Sequence, residues 1–205
     1  MKVNFVLLAL AANEVKQDRV VYEYANQLAN SNHDVAIYHK IKTPLVEAKS
    51  RKGAIIKLQF LQHVLRKKIR RKPSWITLHS SISSFEVVDL SRDLIRDALF
   101  IITTDAKLAL EVFELPIAKG IKFDFIQSGE LPTLQTLKNS TVQSYRLPIN
   151  RIVTSISVRE LVSRYAPTEP MLLTETAQGK PGNYQPQMQD LLHAGLTYLQ
   201  RLQFT

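Results

Sequence analysis

Ala98-Leu99-Phe100-Ile101-Ile102-Thr103-Thr104 is one strand long and apolar until its last two residues. A strand buried on both faces reads this way, and such strands belong to parallel sheets covered by helices. Working outward from it, Lys2 to Leu10 carries the same signature, interrupted only by Asn4, and Lys122 to Gln127 reads as a further strand. After the opening strand, Val20, Val21, Tyr24, Ala25, Leu28 and Ala29 recur at helical spacing, and Asp18 is the expected N-cap of that helix. Ser31-Asn32-His33-Asp34 breaks the helix, and Val35-Ala36-Ile37-Tyr38 forms a second strand. Strand, helix, strand within forty residues is a βαβ unit with a right-handed crossover.

The rest of the chain continues the alternation. Ala54 to Arg71 reads as a helix with Ile55, Leu58, Leu61, Leu65 and Ile69 on one face, stopped by Pro73. Trp75 to His79 reads as a strand and Ser80 to Ser84 as a loop. Lys107 to Leu115 is a helix with Asp105 as its N-cap, and Thr133 to Tyr145 is a further helical stretch. Arg151 to Ser155 reads as a short strand, Val158 to Tyr165 as a short helix and Leu172-Leu173 as an edge strand. The fold class expected is α/β, a Rossmann-like parallel sheet with helices on both faces, plus a C-terminal helix. Residues 1–177 form the domain. Gly179, Pro181, Gly182 and Pro186 mark a linker over 178–187, and residues 188–205 form a terminal helix. The Leu191, Leu192, Leu196, Leu199 and Leu202 stripe of that helix packs on the domain or on a partner.

Composition narrows the function classes. Among 205 residues, 27 Lys and Arg against 18 Asp and Glu give a formal charge of +9, which favours an anionic partner. The absence of cysteine removes disulfides, thiolate metal sites and cysteine nucleophiles, and it fits a cytoplasmic setting. The run after Lys2 can be read as a short signal-peptide core, but Asn4 and the charges from Glu14 to Arg19 favour a buried first strand. No apolar run approaches the about 20 residues of a membrane span. There is no G-x-G-x-x-G after the first strand, no Walker-A loop, no metal-ligand spacing among the five His and no G-x-S-x-G elbow. No cofactor and no metal are therefore expected.

Three ordered segments carry a resemblance. They are Asp97 to Ala106, Lys119 to Glu130 (Lys119-Gly120-Ile121-Lys122-Phe123-Asp124-Phe125-Ile126-Gln127-Ser128-Gly129-Glu130), and Tyr145 to Ser155 (Tyr145-Arg146-Leu147-Pro148-Ile149-Asn150-Arg151-Ile152-Val153-Thr154-Ser155). In order and spacing, over about residues 1 to 165, the chain resembles the N-terminal, acceptor-side domain of family-four-like, retaining GT-B glycosyltransferases, including those that build bacterial surface polysaccharides. The resemblance implies a Rossmann-type domain that contacts an acceptor. It also implies a second domain that binds the nucleotide sugar and carries two glutamates in an E-x7-E motif. Two departures stand out. The glycine pair usual after the first strand is replaced by Ala12-Asn13-Glu14-Val15-Lys16, and Met171 to Glu175 stands where the family turns into its second domain. The expectation is a transferase half that is incomplete alone, needing a chain that supplies the nucleotide-sugar-binding domain. The alternative is a degenerate, non-catalytic binding or scaffold protein of the same fold.

The candidate acceptor-binding residues lie at strand ends, where open α/β sheets bind ligands: Gln127 and Glu130, Thr104 and Asp105, and His79. The N-cap of the next helix is the favoured reading of Asp105, and a loop capping the Thr133 helix that of Gln127 and Glu130, while Ser80 has no oriented base that would make it a nucleophile. Arg66, Lys67, Lys68, Arg70, Arg71 and Lys72 end a helix with an apolar face, a pattern that suits an anionic membrane surface. Nucleic acid is disfavoured, because no aromatics interleave with that run to stack on bases.

Overall fold

Strand β1 (Lys2–Leu8) is buried from Val3 to Leu7 because it has a strand on either side and a helical layer over each face. In the computed structural model the elements that follow are α1 (Lys16–Asn30), β2 (Asp34–Lys40), β3 (Lys68–Arg70), β4 (Ser83–Val87) and β5 (Phe100–Thr103). Then come α2 (Ala106–Phe113), β6 (Ile121–Ile126), α3 (Asn139–Arg146), β7 (Asn150–Val153), α4 (Ile156–Ser163) and β8 (Met171–Leu172). The structure describes residues 1–13, 15–41, 64–91, 93–127, 139–167 and 171–172. The sheet order is β3-β4-β2-β1-β5-β6-β7-β8, and every neighbouring pair is parallel except β3 with β4. The chain winds outward from β1 to β2 and β4, then returns to the other side for β5, β6 and β7. This is the expected Rossmann-like α/β architecture.

Alternation along the strands divides the core. Phe5, Leu7, Ile37, Ile102 and Phe125 face α1, where they meet Tyr22, Ala25 and Leu28. Val6, Tyr38 and Ile101 face the opposite way and pack on Leu108 and Val112 of α2. Each such side chain withdrawn from water stabilises the fold by about 1.5–3 kcal/mol. Asp105 caps α2 as expected, its carboxylate accepting from the Lys107 and Leu108 amides at 2.8 and 3.2 Å. Helix α4 is capped by the Ser155 hydroxyl. Strand β7 therefore ends at Val153, and the helix starts two residues earlier than its apolar pattern suggests.

Four expectations are corrected. Helix α1 starts at Lys16 behind Val15, so Asp18 sits in its first turn and is not the cap. The stretch from Trp75 to His79 is not a strand. The Asn26 side chain satisfies its backbone instead, donating to the Thr77 carbonyl at 2.9 Å and accepting from the His79 amide at 2.8 Å. The strand of this region is β4, inside and beyond the expected loop; its polar Ser84 and Glu86 are buried beside β2. The expected helix over 54–71 survives in the described residues only at 64–66. Lys67 turns left-handed with φ 56°, and Lys68–Arg70 then pair antiparallel with β4 as an edge strand. The linker, the terminal helix and the 133–138 part of the expected Thr133–Tyr145 helix lie outside the described residues. No helix among the described residues is long and apolar enough to cross a membrane.

One glycine is required by its conformation. Gly120 enters β6 with φ 117°, and a Cβ there would lie 2.9 Å from the Phe100 nitrogen and 3.0 Å from the Leu99 carbonyl. Gly120→Ala is expected to cost about 1–3 kcal/mol, because both backbone conformation and strand spacing oppose the methyl group. Urea unfolding should show a lower midpoint with unchanged slope; an unshifted midpoint would refute the assignment.

Candidate functional site

The winding reverses between β1 and β5, so the loops leaving their C-terminal ends run in opposite directions and leave a crevice. Ligands of open α/β sheets bind at this position. One wall is the Ala9–Asn13 segment after β1, where the Trp75 indole Nε1 donates to the Ala11 carbonyl at 3.2 Å and fixes the loop. The other wall is Thr104 and Asp105 after β5, continued by Gln127 after β6 and Thr154 after β7.

The candidate residues separate on this frame. Thr104 and Gln127 stand half-buried at the edge with the crevice. Asp105 is there too, but its carboxylate is engaged by the α2 amides, so it shapes the rim more than it offers a free acceptor. Glu130 lies outside the described residues. His79 is at the wrong edge. It belongs to the turn that feeds the N-terminal end of β4, closed by the Ile82 amide on the His79 carbonyl at 3.0 Å, and its Nδ1 lies 2.8 Å from the Ser81 hydroxyl. Its placement as a strand end depended on the Trp75–His79 strand, which does not form.

The basic residues divide as well. Lys68 folds inward: its ammonium lies 4.0 Å from the Phe85 ring centroid and 4.9 Å from that of Tyr38, and it donates to the Leu94 carbonyl at 3.1 Å. Burial, and after it the charge of Arg96, holds the Lys68 ammonium below its ordinary pKa. Arg71 pairs with Glu86 at 3.2 Å. Arg66, Lys67, Arg70 and Lys72 are exposed, with no ion pair among the described residues.

Two buried polar groups escape sequence reasoning. His39, 1% exposed, lies near the C-terminal end of β2, with Nε2 3.5 Å from the Tyr22 hydroxyl and 3.4 Å from the Ser84 hydroxyl. Burial pushes its pKa down to about 4, against the opposing effects of a hydrogen bond to the Leu8 backbone and the nearby Glu86. The imidazole is neutral at pH 7 and links two hydroxyls. Ser84 is fully buried, so this group links β2 to α1 and β4 and does not form an accessible nucleophile. The second group is a row across the sheet, Thr103↔Asp124↔Arg151, on the face toward α2. Asp124 is 2% exposed, and its pKa is pushed up to about 7 by burial, with Arg151 lowering it and Asp105 raising it further. A lone Asp between Phe123 and Phe125 inside an apolar strand was the available signal. For His39 there was none, because its partners come from α1 and from the unrecognised β4.

No cluster of three metal-ligating side chains occurs among the described residues. The chain matches no protein-family model, no curated protein and no solved structure.

His39 generates a pH prediction. The folded state lowers its proton affinity, so its contribution to stability is complete above pH 6.5 and is lost as the pH falls toward about 4. At 1.36 kcal/mol per pKa unit the loss approaches about 3 kcal/mol. Denaturant melts of the native protein and of His39→Gln across this range should show the variant with the shallower acid slope. Parallel curves would rule out His39 as the source.

Proposed function

We propose that this chain is the acceptor-side domain of a GT-B-like glycosyltransferase of bacterial surface polysaccharide or glycoconjugate synthesis. The observation that carries the reading is a coincidence of sequence and topology. The three segments that resemble the family fall on β5–α2, on β6 and on the α3–β7 stretch. These strands are adjacent and parallel, and their C-terminal ends share one edge. The acceptor would sit along that edge, from the Thr104 rim to the Gln127 amide, next to the crevice between β1 and β5. Residues 1–205 contain no E-x7-E nucleotide domain, so donor binding and the electrostatics that stabilise transfer come from outside them.

A specific observation favours the second reading, a binding or scaffold protein of the same fold. The loop after β1 has no glycine from Ala9 to Lys16 and is fastened by Trp75, so its backbone cannot close on a ligand as a glycine pair would allow. Saturation-transfer NMR with oligosaccharide and lipid-linked saccharide acceptors separates the two. Saturable binding that weakens about tenfold in Gln127→Ala, the effect of losing one well-formed hydrogen bond, supports the acceptor domain. Absence of saccharide binding with a nucleotide-sugar domain present leaves the scaffold. Robust transfer by this chain alone would overturn the division of labour.

The same reading places the protein at an anionic membrane. Arg66, Lys67, Arg70 and Lys72 project from the β3 end of the sheet, and Leu65 beside them is 82% exposed. Each basic side chain near such a surface contributes roughly 1 kcal/mol. Replacing the four by Glu is expected to reduce sedimentation with phosphatidylglycerol vesicles by more than about tenfold, with no change on neutral vesicles. Equal sedimentation of both proteins would remove the membrane from the proposal.

A further inference from the structure

Arg151, 1% exposed, lies at the centre of the inference because of where its donors go. One terminal nitrogen donates to the Ile149 carbonyl at 2.8 Å; the other donates to the Ser144 and Leu147 carbonyls at 3.1 and 2.5 Å. Ser144 belongs to the last turn of α3, and Leu147 to Ile149 is the link into β7. The guanidinium thus ties together the last turn of α3 and the link into β7, sharing the Ser144 carbonyl with the Leu147 amide. Its Nε has no partner.

Asp124 stands beside it on β6, one position along the same row. Arg151 bonds carbonyls and leaves the carboxyl alone. On the other flank the Thr103 hydroxyl, fully buried, also has no partner. Among the described residues, the charged groups that act on Asp124 are Arg151 from β7 and Asp105 from the start of α2; β5 presents only Thr103. From α3, Tyr145 acts on Arg151. Lys122, two positions back on the strand, is held by the Phe113 and Leu115 carbonyls. An uncharged Asp124 is compatible with this arrangement. An ionised one favours rearrangement, because a buried carboxylate is costly unless a charged donor pairs with it, and the terminal nitrogens of Arg151 are spent on carbonyls.

We propose that Asp124 and Arg151 form a proton-operated latch. The uncharged carboxyl leaves Arg151 clamped on the end of α3, and ionisation draws the guanidinium toward Asp124 and loosens that clamp. Only a proton is exchanged, between the Asp124 carboxyl and solvent. The orphaned Arg151 Nε is a donor left available for that move. The clamp lies where α3 runs into the N-terminal end of β7, so its release acts on the α3–β7 link. The folded state raises the proton affinity of Asp124, so the latch contribution is complete below the ordinary carboxyl range, near 3.8, and is lost as the pH rises to about 7. The slope is opposite in sign to that of His39.

Two measurements on the full chain test the latch. Carbon-13 carboxyl NMR of the native protein should place the Asp124 midpoint near 7. Hydrogen exchange of residues 139–149, corrected for the intrinsic pH dependence of exchange, should lose about fivefold in protection between roughly pH 6 and pH 8. Asp124→Asn should remove that loss. A midpoint in the ordinary carboxyl range, protection that does not change with pH, or a folded Asp124→Asn variant with the native pH dependence would each overturn the proposal. If the variant does not fold, the native titration and exchange profile decide it.

Discussion

The Asn4–Arg96–Asp34 junction holds β1, β2 and the approach to β5 in one register. Asn4 is fully buried in β1, and its amide donates to the Arg96 carbonyl at 2.8 Å while its oxygen accepts from Arg96 Nε at 3.1 Å. The guanidinium of Arg96 goes on to the Asp34 carboxylate at 2.6 Å and the Asp34 carbonyl at 2.7 Å, at the start of β2. Its own backbone amide donates to the Tyr38 hydroxyl at 3.2 Å. A buried amide left without these partners would cost about 1–3 kcal/mol. Only one sliding position of β1 against β2 satisfies all of them, and a slip by one residue would also turn the apolar side chains to the wrong faces.

With that register held, the two edges of the sheet take different characters. The N-terminal edge is closed by ion pairs and turns: Arg96 with Asp34, Lys119 with Asp97 at 2.8 Å, and the Asn26 side chain against the 77–79 backbone. The C-terminal edge gathers Thr103, Asp105 and Gln127 on one side of β1, with Asp124 level with Thr103, and His39 and Glu86 on the other. Parallel strands impose this asymmetry, because all their C-terminal ends meet at one edge and the loops there diverge at the winding reversal. A charge at that edge is partly withdrawn from water by the helices over both faces. This is why burial leads the causes of the shifts at both His39 and Asp124, in opposite chemical directions.

The strands that sequence reading located are those dominated by apolar residues: Val3 to Leu7, broken only by Asn4, Val35 to Tyr38, Phe100 to Ile102, and Phe123 to Ile126, broken only by Asp124. Their solvation alone places them inside. Strand β4 escaped because Ser83, Ser84 and Glu86 look like a loop, and their burial is made tolerable by partners on other elements, His39 and Arg71. The basic stretch failed for a related reason. The periodicity of Leu58, Leu61, Leu65 and Ile69 continues through Arg70, yet Ile69 aligns with Glu86 across a sheet edge, and Lys67 turns the chain to make that pairing. Of the candidate rim, Thr104, Asp105 and Gln127 were legible as strand ends. His79 was misplaced with the strand that did not form.

What the sequence by itself determined is the class of fold and its central strands, because burial on both faces leaves a one-dimensional signature that needs no partner to be read. It also determined the α2 cap, since Asp105 acts on amides only two and three residues away. What only the tertiary structure decided is which polar residues share an environment. His39 meets Tyr22 and Ser84 across 17 and 45 residues, and Asp124 meets Arg151 through strand register. Their proton affinities follow from the low polarity and the neighbours that packing brings together, and neither is a property of any local stretch of chain.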